Sequence, residues 1–146
     1  MPMSELESKY HLTPMLEKRF GQFKKIDDKD KRFERIIELG KRLGDFPEDA
    51  KTEDNQVHGC ASLVYIIGKK QGEHMQYQGW SNSHLVKGLV ALLIEGMNDN
   101  SPEAIIKIDP AFIEEMGLAQ TLTASRANGF INAFNMMLTI ARKENA

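Results

Sequence analysis

The stretch that decides the fold is residues 57–80, which read VHGCASLVYIIGKKQGEHMQYQGW. Residues 62–69 form an apolar run, and residues 73–80 form a second extended run after a Lys-Gln-Gly turn. Because the first run is apolar on both faces, it is typical of a central, well-covered strand. Together with a short strand at residues 55–57, these runs predict a small three-stranded antiparallel sheet.

The only cysteine of the chain, Cys60, falls in the connection between the first two predicted strands. One thiol cannot form an internal disulfide or a cluster of thiolate metal ligands. Gly59 allows the backbone to turn sharply beside it, and small or polar neighbours replace the large apolar flanks expected of a core thiol. Reactive groups are commonly placed on loops supported by a sheet, so Cys60 is the candidate nucleophile.

Helical patterns flank the sheet on both sides along the chain. The predicted helix starts are Thr13-Pro14, Asp28 or Asp30, Ser81 or Ser83, Ser101-Pro102, Asp109-Pro110, and Thr121 or Thr123. The second helix is expected to end at Gly44, the apolar third helix to form the buried spine, and the last helix to end near Lys143. These patterns predict an α+β fold with residues 1–146 as a single domain and residues 1–12 as a loose N-terminal extension.

The composition is that of an ordinary water-soluble domain. The chain has 146 residues, of which 41% are hydrophobic and 27% charged, and a formal net charge of -2. That charge offers no field for attracting nucleic acid, and the longest apolar run, residues 89–94, is too short to span a bilayer. Residues 1–7 lack the pattern of a secretory signal. We therefore expect no nucleic-acid or membrane partner, a cytoplasmic location and a reduced thiol.

Several familiar chemistries fit the sequence poorly. Neither a dinucleotide fingerprint nor a P-loop occurs, which argues against nucleotide hydrolysis. A closed zinc site usually needs four ligands at recognisable spacing, whereas His11, His58, His74 and His84 are scattered around the single cysteine. A cysteine protease would need a histidine base and an orienting group in a known arrangement, and none is recognisable. We predict no metal site.

Four sequence blocks occur in order around Cys60: residues 57–64 (VHGCASLV), 79–81 (GWS), 86–93 (VKGLVALL) and 122–129 (LTASRANG). Together they resemble the SufE family, and the resemblance runs from about Leu16 to Arg142. Members are sulfur acceptors for a pyridoxal-phosphate-dependent cysteine desulfurase. The resemblance implies the α+β, SufE/IscU-like fold, with a small antiparallel sheet flanked by helices.

The resemblance also implies a function centred on Cys60. Its thiolate would take persulfide sulfur from a SufS-type cysteine desulfurase, stimulate that enzyme, and pass the sulfur to an iron–sulfur scaffold. On this basis the chain binds no cofactor itself and carries only a transient persulfide, while the partner uses pyridoxal phosphate. It would act as a sulfurtransferase-like relay, as a monomer or weak dimer, and not as a stand-alone hydrolase.

Arg126 is the second predicted site residue. It stands in the last resembling block near the start of the last helix, where it can lie against the Cys60 loop, and a nearby cation favours a thiolate. The alternative is that Arg126 only binds loop carbonyls or a surface carboxylate. His58 is left out of the catalytic set.

Some positions depart from the family pattern, and other functions stay open. Ala61, Leu63 and Tyr65 replace a segment that is often glutamine-rich and followed by tryptophan, and Asn82 stands where aspartate is common. These positions flank the expected docking surface, so they bear on which desulfurase is recognised. The alternative functions are a non-catalytic allosteric partner of the desulfurase and, ranked last, a stand-alone thiol enzyme.

Overall fold

A hairpin of two strands forms the sheet in the computed structural model, which describes residues 9–117 and 122–145. Strands β1 (Val64–Gln71) and β2 (His74–Ser81) pair antiparallel, with Val64 opposite Ser81 and Gln71 opposite His74. Gly72 turns the chain with a φ of 65°, a backbone angle that glycine adopts without steric cost. Both strands overlap the predicted extended runs, but β1 begins and ends two residues later than predicted, so Lys70 and Gln71 of the predicted turn belong to the strand.

The predicted third strand at residues 55–57 is not confirmed. Among the described residues the sheet has two strands, and Gln56 contributes a single bridge to Tyr65. A 3₁₀ turn, Glu53–Asn55, comes directly before Gln56, and Gly59 turns the chain away with a φ of 77°. Too few extended residues remain between these two turns to form a ladder of hydrogen bonds.

Six helices that lie wholly within the described part of the chain surround the hairpin. They are α1 (Pro14–Lys24), α2 (Lys29–Gly40), α3 (His84–Met97), α4 (Pro102–Ile106), α5 (Phe112–Glu115) and α6 (Ala124–Asn145). Side-chain oxygens of Thr13, Asp28, Ser83 and Ser101 cap the first four helices, as predicted. Each of these oxygens accepts a backbone N–H that the helix itself cannot satisfy.

Helix α2 ends at Gly40, earlier than the predicted end at Gly44. Beyond Gly40 the backbone continues in tight turns, since the N–H groups of Arg42 and Leu43 donate to carbonyls three residues earlier. Bonds of this kind satisfy the last carbonyls of a helix without extending it. The glycine at 44 therefore follows the turns and does not end the helix.

Helix α3 is the buried spine of the protein. It packs against α1, α2, β2 and α6, and Val86, Leu89 and Leu93 are among its buried residues. The inner face of the hairpin, including Ile66, packs into the same hydrophobic core. This arrangement confirms the predicted spine and explains its apolar circumference, because neighbours cover most of the helix.

The part of the predicted N-terminal extension that the structure describes contacts the core. Tyr10 and Leu12 are buried, and the carbonyl oxygen of Tyr10 accepts from the N–H of Asp109 at 2.9 Å. Residues 1–8 of that extension lie outside the described residues. No helix in the described part of the chain has both the length and the apolar character needed to cross a membrane.

Candidate functional site

Cys60 lies on a short loop between the bridge at Gln56 and strand β1. We call residues 58–63 the Cys60 loop. Its base is closed by the N–H of Val57, which donates to the carbonyl oxygen of Val64 at 2.9 Å. The thiol is free and half-buried, and it packs against the edge of the hydrophobic core. The structure thus places Cys60 on a loop that leads into the sheet, as the sequence indicated.

The sulfur of Cys60 faces helix α6 at Gly129. A Cβ atom built on Gly129 would lie 2.5 Å from Sγ of Cys60 and 3.2 Å from its Cβ. The missing side chain at position 129 therefore leaves the space in which the thiol lies. The helix covers the sulfur on this side, and the cysteine as a whole is half-buried.

Asn132, one helical turn after Gly129, binds the loop from the same helix. Its Nδ2 donates to the carbonyl oxygens of His58 at 3.1 Å and of Gly59 at 3.3 Å. At Gly59 the chain is in the left-handed region, with a φ of 77°, and a Cβ there would lie 2.5 Å from Nδ2 of Asn132. Glycine is needed here both for the backbone angle and for the approach of the amide.

The other end of the loop is attached to the hairpin through Asn82. The N–H of Leu63 donates to Oδ1 of Asn82 at 3.1 Å, and the N–H of Asn82 donates to the carbonyl oxygen of Leu63 at 3.3 Å. Asn82 is one of the positions that depart from the family pattern. In this chain its side chain still supplies an oxygen acceptor.

Aromatic side chains line the outer face of the hairpin beside the loop. The ring centroid of Tyr65 lies 6.3 Å from that of Phe46 and 6.0 Å from that of Trp80. The ammonium of Lys51 lies over the ring of Trp80, 3.9 Å from its centroid, which is a favourable cation–π geometry. Residues 46–51 thus cover this face of the hairpin.

Arg126 lies one turn before Gly129 on α6, and its side chain is exposed. No hydrogen bond joins its guanidinium to Cys60 in the described structure, and its backbone N–H donates to Oγ1 of Thr123 at 3.4 Å. Arg126 therefore lies on the helix that contacts Cys60, but within the described structure it makes no hydrogen bond to the cysteine. His58 is exposed as well, and its carbonyl oxygen rather than its ring takes part in the hydrogen bond to Asn132.

No arrangement of side chains typical of a metal site accompanies the thiol among the described residues. Within residues 9–117 and 122–145, no group of three or more histidine, cysteine, aspartate or glutamate side chains is arranged to hold a metal ion. A groove of about 260 Å³, whose lining includes Arg42, Tyr77 and Glu95, contains no residue of the Cys60 loop. The chemistry that this site offers is that of one free, half-buried thiol.

Residues 17–141 match the family model SufE, described as an Fe-S metabolism associated domain. The chain belongs to the SufE family. An uncharacterized SufE-like protein of Synechocystis is 46% identical over 130 residues, which cover 89% of this chain and 82% of the relative. A cysteine desulfuration protein SufE of Plasmodium falciparum is 35% identical over 132 residues, covering 86% of this chain and 53% of the relative. The SufE domain associates the chain with Fe-S metabolism.

Other comparisons agree with this family and with the fold. The SufE-like protein 1, chloroplastic/mitochondrial, of Arabidopsis thaliana is 32% identical over 134 residues, which cover 91% of this chain and 36% of the relative. The chain thus spans about half or less of the Plasmodium and Arabidopsis proteins. The solution structure of a hypothetical protein from Thermus thermophilus matches with a TM-score of 0.80, covering 92% of this chain and 98% of that one at 24% identity. That structural likeness shows the α+β fold.

Sequence reasoning singled out neither Asn132 nor the contact of Gly129 with Cys60. The available signal was spacing, since Gly129 and Asn132 are neighbours at i, i+3 on the helix that begins within the last SufE-like block. Their contacts with residues 58–60 join positions about 70 residues apart, and helical spacing alone does not reveal the partner across such a separation.

Proposed function

We propose that this SufE-family protein accepts sulfur from a cysteine desulfurase on Cys60 and hands it on for iron–sulfur cluster assembly. The observation that carries the proposal is the half-buried free thiol on a loop held between the hairpin and α6. The family match and the names of the Plasmodium relatives support the same chemistry. A free thiol on a loop, only half-buried, suits transfer from another protein.

The proposed transfer is a balanced exchange between two thiols. The Cys60 thiolate attacks the outer sulfur of a persulfide on the desulfurase, and a new S–S bond forms at Cys60. The S–S bond of the donor breaks, and the donor cysteine leaves as a thiolate. No external oxidant or reductant is required, and the reaction depends on thiolate character and access.

The persulfide on Cys60 is then the cargo. Attack on its outer sulfur by an acceptor on the iron–sulfur scaffold releases the Cys60 thiolate, which is ready for another cycle. Under this proposal the chain binds no resident cofactor, and pyridoxal phosphate belongs to the partner, a SufS-type desulfurase. The cytoplasm is the proposed compartment, and a monomer or weak dimer is the proposed state.

Arg126 has a supporting role in this proposal. It neighbours Gly129 on α6 at i, i+3, and Gly129 contacts the sulfur of Cys60. We propose that the guanidinium acts through space, attracting the negative charge that moves between the two sulfurs during transfer. An exposed arginine is also available to a docked partner.

The decisive experiment is mass measurement after incubation with a SufS-type desulfurase and free cysteine. We expect the protein to gain the mass of one sulfur atom, removable by a thiol reductant, and Cys60→Ser to gain none. Ser62→Ala is the matched control, because it alters the same loop and keeps the thiol. No gain by the unchanged protein beside an active desulfurase would overturn the proposal.

The same variants test the allosteric alternative. If Cys60→Ser stimulates sulfide release by the desulfurase as strongly as the unchanged protein does, the protein acts as a binding partner and not as a carrier. Consumption of a substrate without any desulfurase would favour the stand-alone thiol enzyme.

A further inference from the structure

One side chain joins the Cys60 loop to helix α6 by two hydrogen bonds. Nδ2 of Asn132 donates to the carbonyl oxygens of His58 and Gly59, the two residues directly before the cysteine. Asn132 is half-buried, and it stands one turn after Gly129, whose α-carbon faces the sulfur. The carbonyl contacts and the sulfur contact are therefore made by neighbouring residues of one rigid element.

We infer that Asn132 is a positioning residue that holds the Cys60 loop against α6 and so sets how far the thiol is exposed. This inference deepens the proposed function, because Asn132 matters for sulfur transfer only if Cys60 is the sulfur acceptor. Asn132 touches no reacting atom. It acts through the backbone on either side of Gly59, and the cysteine follows that backbone.

The chemistry of the contact requires a donor at this position. Both partners are carbonyl oxygens, which only accept, and an amide NH₂ supplies the two N–H groups needed. An aspartate of the same shape would direct carboxylate oxygens toward these carbonyls and repel them. An alanine would remove the bonds without adding charge. The two changes therefore separate loss of the hydrogen bonds from the effect of a new charge.

Gly59 and Asn132 depend on each other sterically. A Cβ at position 59 would lie 2.5 Å from Nδ2 of Asn132, and the φ of 77° disfavours any side chain there. The amide thus occupies the space that a side chain at 59 would take. This close approach indicates that the loop and the helix are fitted to each other at this point.

The test is the alkylation of Cys60 by iodoacetamide across a full pH profile. Because Cys60 is the only cysteine, every cysteine adduct, measured on the peptide that carries residue 60, reports on this thiol. The rate at high pH, where the thiol is fully ionised, measures access, whereas the midpoint reports the charge around the sulfur. We expect Asn132→Ala and Asn132→Asp to raise the high-pH rate about fivefold or more, on the scale of one net hydrogen bond.

Asn135→Ala and Asn135→Asp are the matched controls, since Asn135 lies on the same helix and is exposed. We expect both to leave the high-pH rate unchanged. An unchanged rate in Asn132→Ala would overturn the inference, and so would acceleration confined to Asn132→Asp, because charge alone would then explain it. Circular dichroism should show equal helix content in all four variants.

A measurement on the unchanged protein keeps the inference testable even if a variant fails to fold. The side-chain amide protons of Asn132 should exchange with solvent more slowly than those of Asn135, because they are bonded to the loop. Equal exchange rates would contradict the inference. Neither experiment uses a desulfurase, so failure of sulfur transfer and failure of the positioning role are distinguishable outcomes.

Discussion

Gly129 and the sulfur of Cys60 are in direct contact, and a side chain at position 129 would occupy the space of the thiol. The distance from an added Cβ to Sγ would be 2.5 Å, well inside van der Waals contact. A glycine in a helix interior costs stability relative to alanine. Glycine at position 129 carries this cost in stability, and it leaves the space that the Cys60 side chain occupies.

Replacing Gly129 by alanine should therefore displace the Cys60 side chain. We expect faster alkylation of Cys60 and less stabilisation than alanine normally brings to a helix. The matched control is Gly21→Ala, because a Cβ at Gly21 in α1 meets nothing within 4 Å. That control should raise the free energy of unfolding by about 0.5–1 kcal/mol in urea titrations. Equal stabilisation by both changes, with unaltered alkylation, would show that position 129 has room for a methyl group.

Removing the charge of Arg126 should slow sulfur uptake without abolishing it. We expect Arg126→Ala to reduce the initial rate of transfer by about two- to fivefold at low salt, the scale of an exposed charge interaction. The difference should shrink as salt is added, because ions screen exposed charges. Arg142→Ala, exposed near the other end of α6, is the control. Equal initial rates of sulfur transfer in Arg126→Ala and Arg142→Ala would show that Arg126 is a surface residue without a role in the transfer.

At Asn82, an oxygen acceptor should be sufficient. Asn82→Asp keeps an oxygen for the N–H of Leu63, which now donates to Oδ1 of Asn82 at 3.1 Å, so we expect stability close to that of the unchanged protein. Asn82→Ala removes the acceptor and should lower the free energy of unfolding by about 0.5–1.5 kcal/mol. Chemical denaturation measures both. A larger loss in the aspartate variant than in the alanine variant would contradict this account.

Tyr77 links stability to alkaline pH. Its hydroxyl donates to the carbonyl oxygen of Met137 at 2.8 Å, and burial, with a smaller effect of Glu144, raises its pKa above the ordinary value of 10.0. Above about pH 10 the unfolded chain loses this proton while the folded protein keeps it, so the free energy of unfolding falls as pH rises. Below that pH the tyrosine contributes no such slope.

Tyr77→Phe should remove this part of the alkaline loss and cost about 1 kcal/mol at neutral pH through the missing hydrogen bond. Denaturant titrations at pH 8 to 11, a range spanning about three units around the ordinary tyrosine value, measure both effects. Tyr65→Phe controls for the loss of a hydroxyl on the opposite face of the hairpin, where no hydrogen bond of that hydroxyl is seen within the described residues. An alkaline slope that survives Tyr77→Phe unchanged would locate its cause elsewhere.

Local signals explain which parts of the fold were predicted correctly. The helix caps at Thr13, Asp28, Ser83 and Ser101 bond to backbone N–H groups two or three residues away, so the sequence contains both partners. The hairpin was predictable because Gly72 joins two extended runs. The third strand was not confirmed because Gln56 needs a distant partner, and the turns on either side of it limit pairing to one bridge.

The sequence by itself determined the α+β composition, the hairpin, the buried spine and the single thiol. These follow from apolar periodicity, caps and composition, all of which act over a few residues. Only the tertiary structure decided that Cys60 lies against Gly129 and that Asn132 binds the carbonyl oxygens of the two residues before the cysteine. It also decided that Arg126, one turn before Gly129, makes no hydrogen bond to Cys60 within the described residues. Such contacts join residues about 70 positions apart, and packing of α6 on the sheet brings them together.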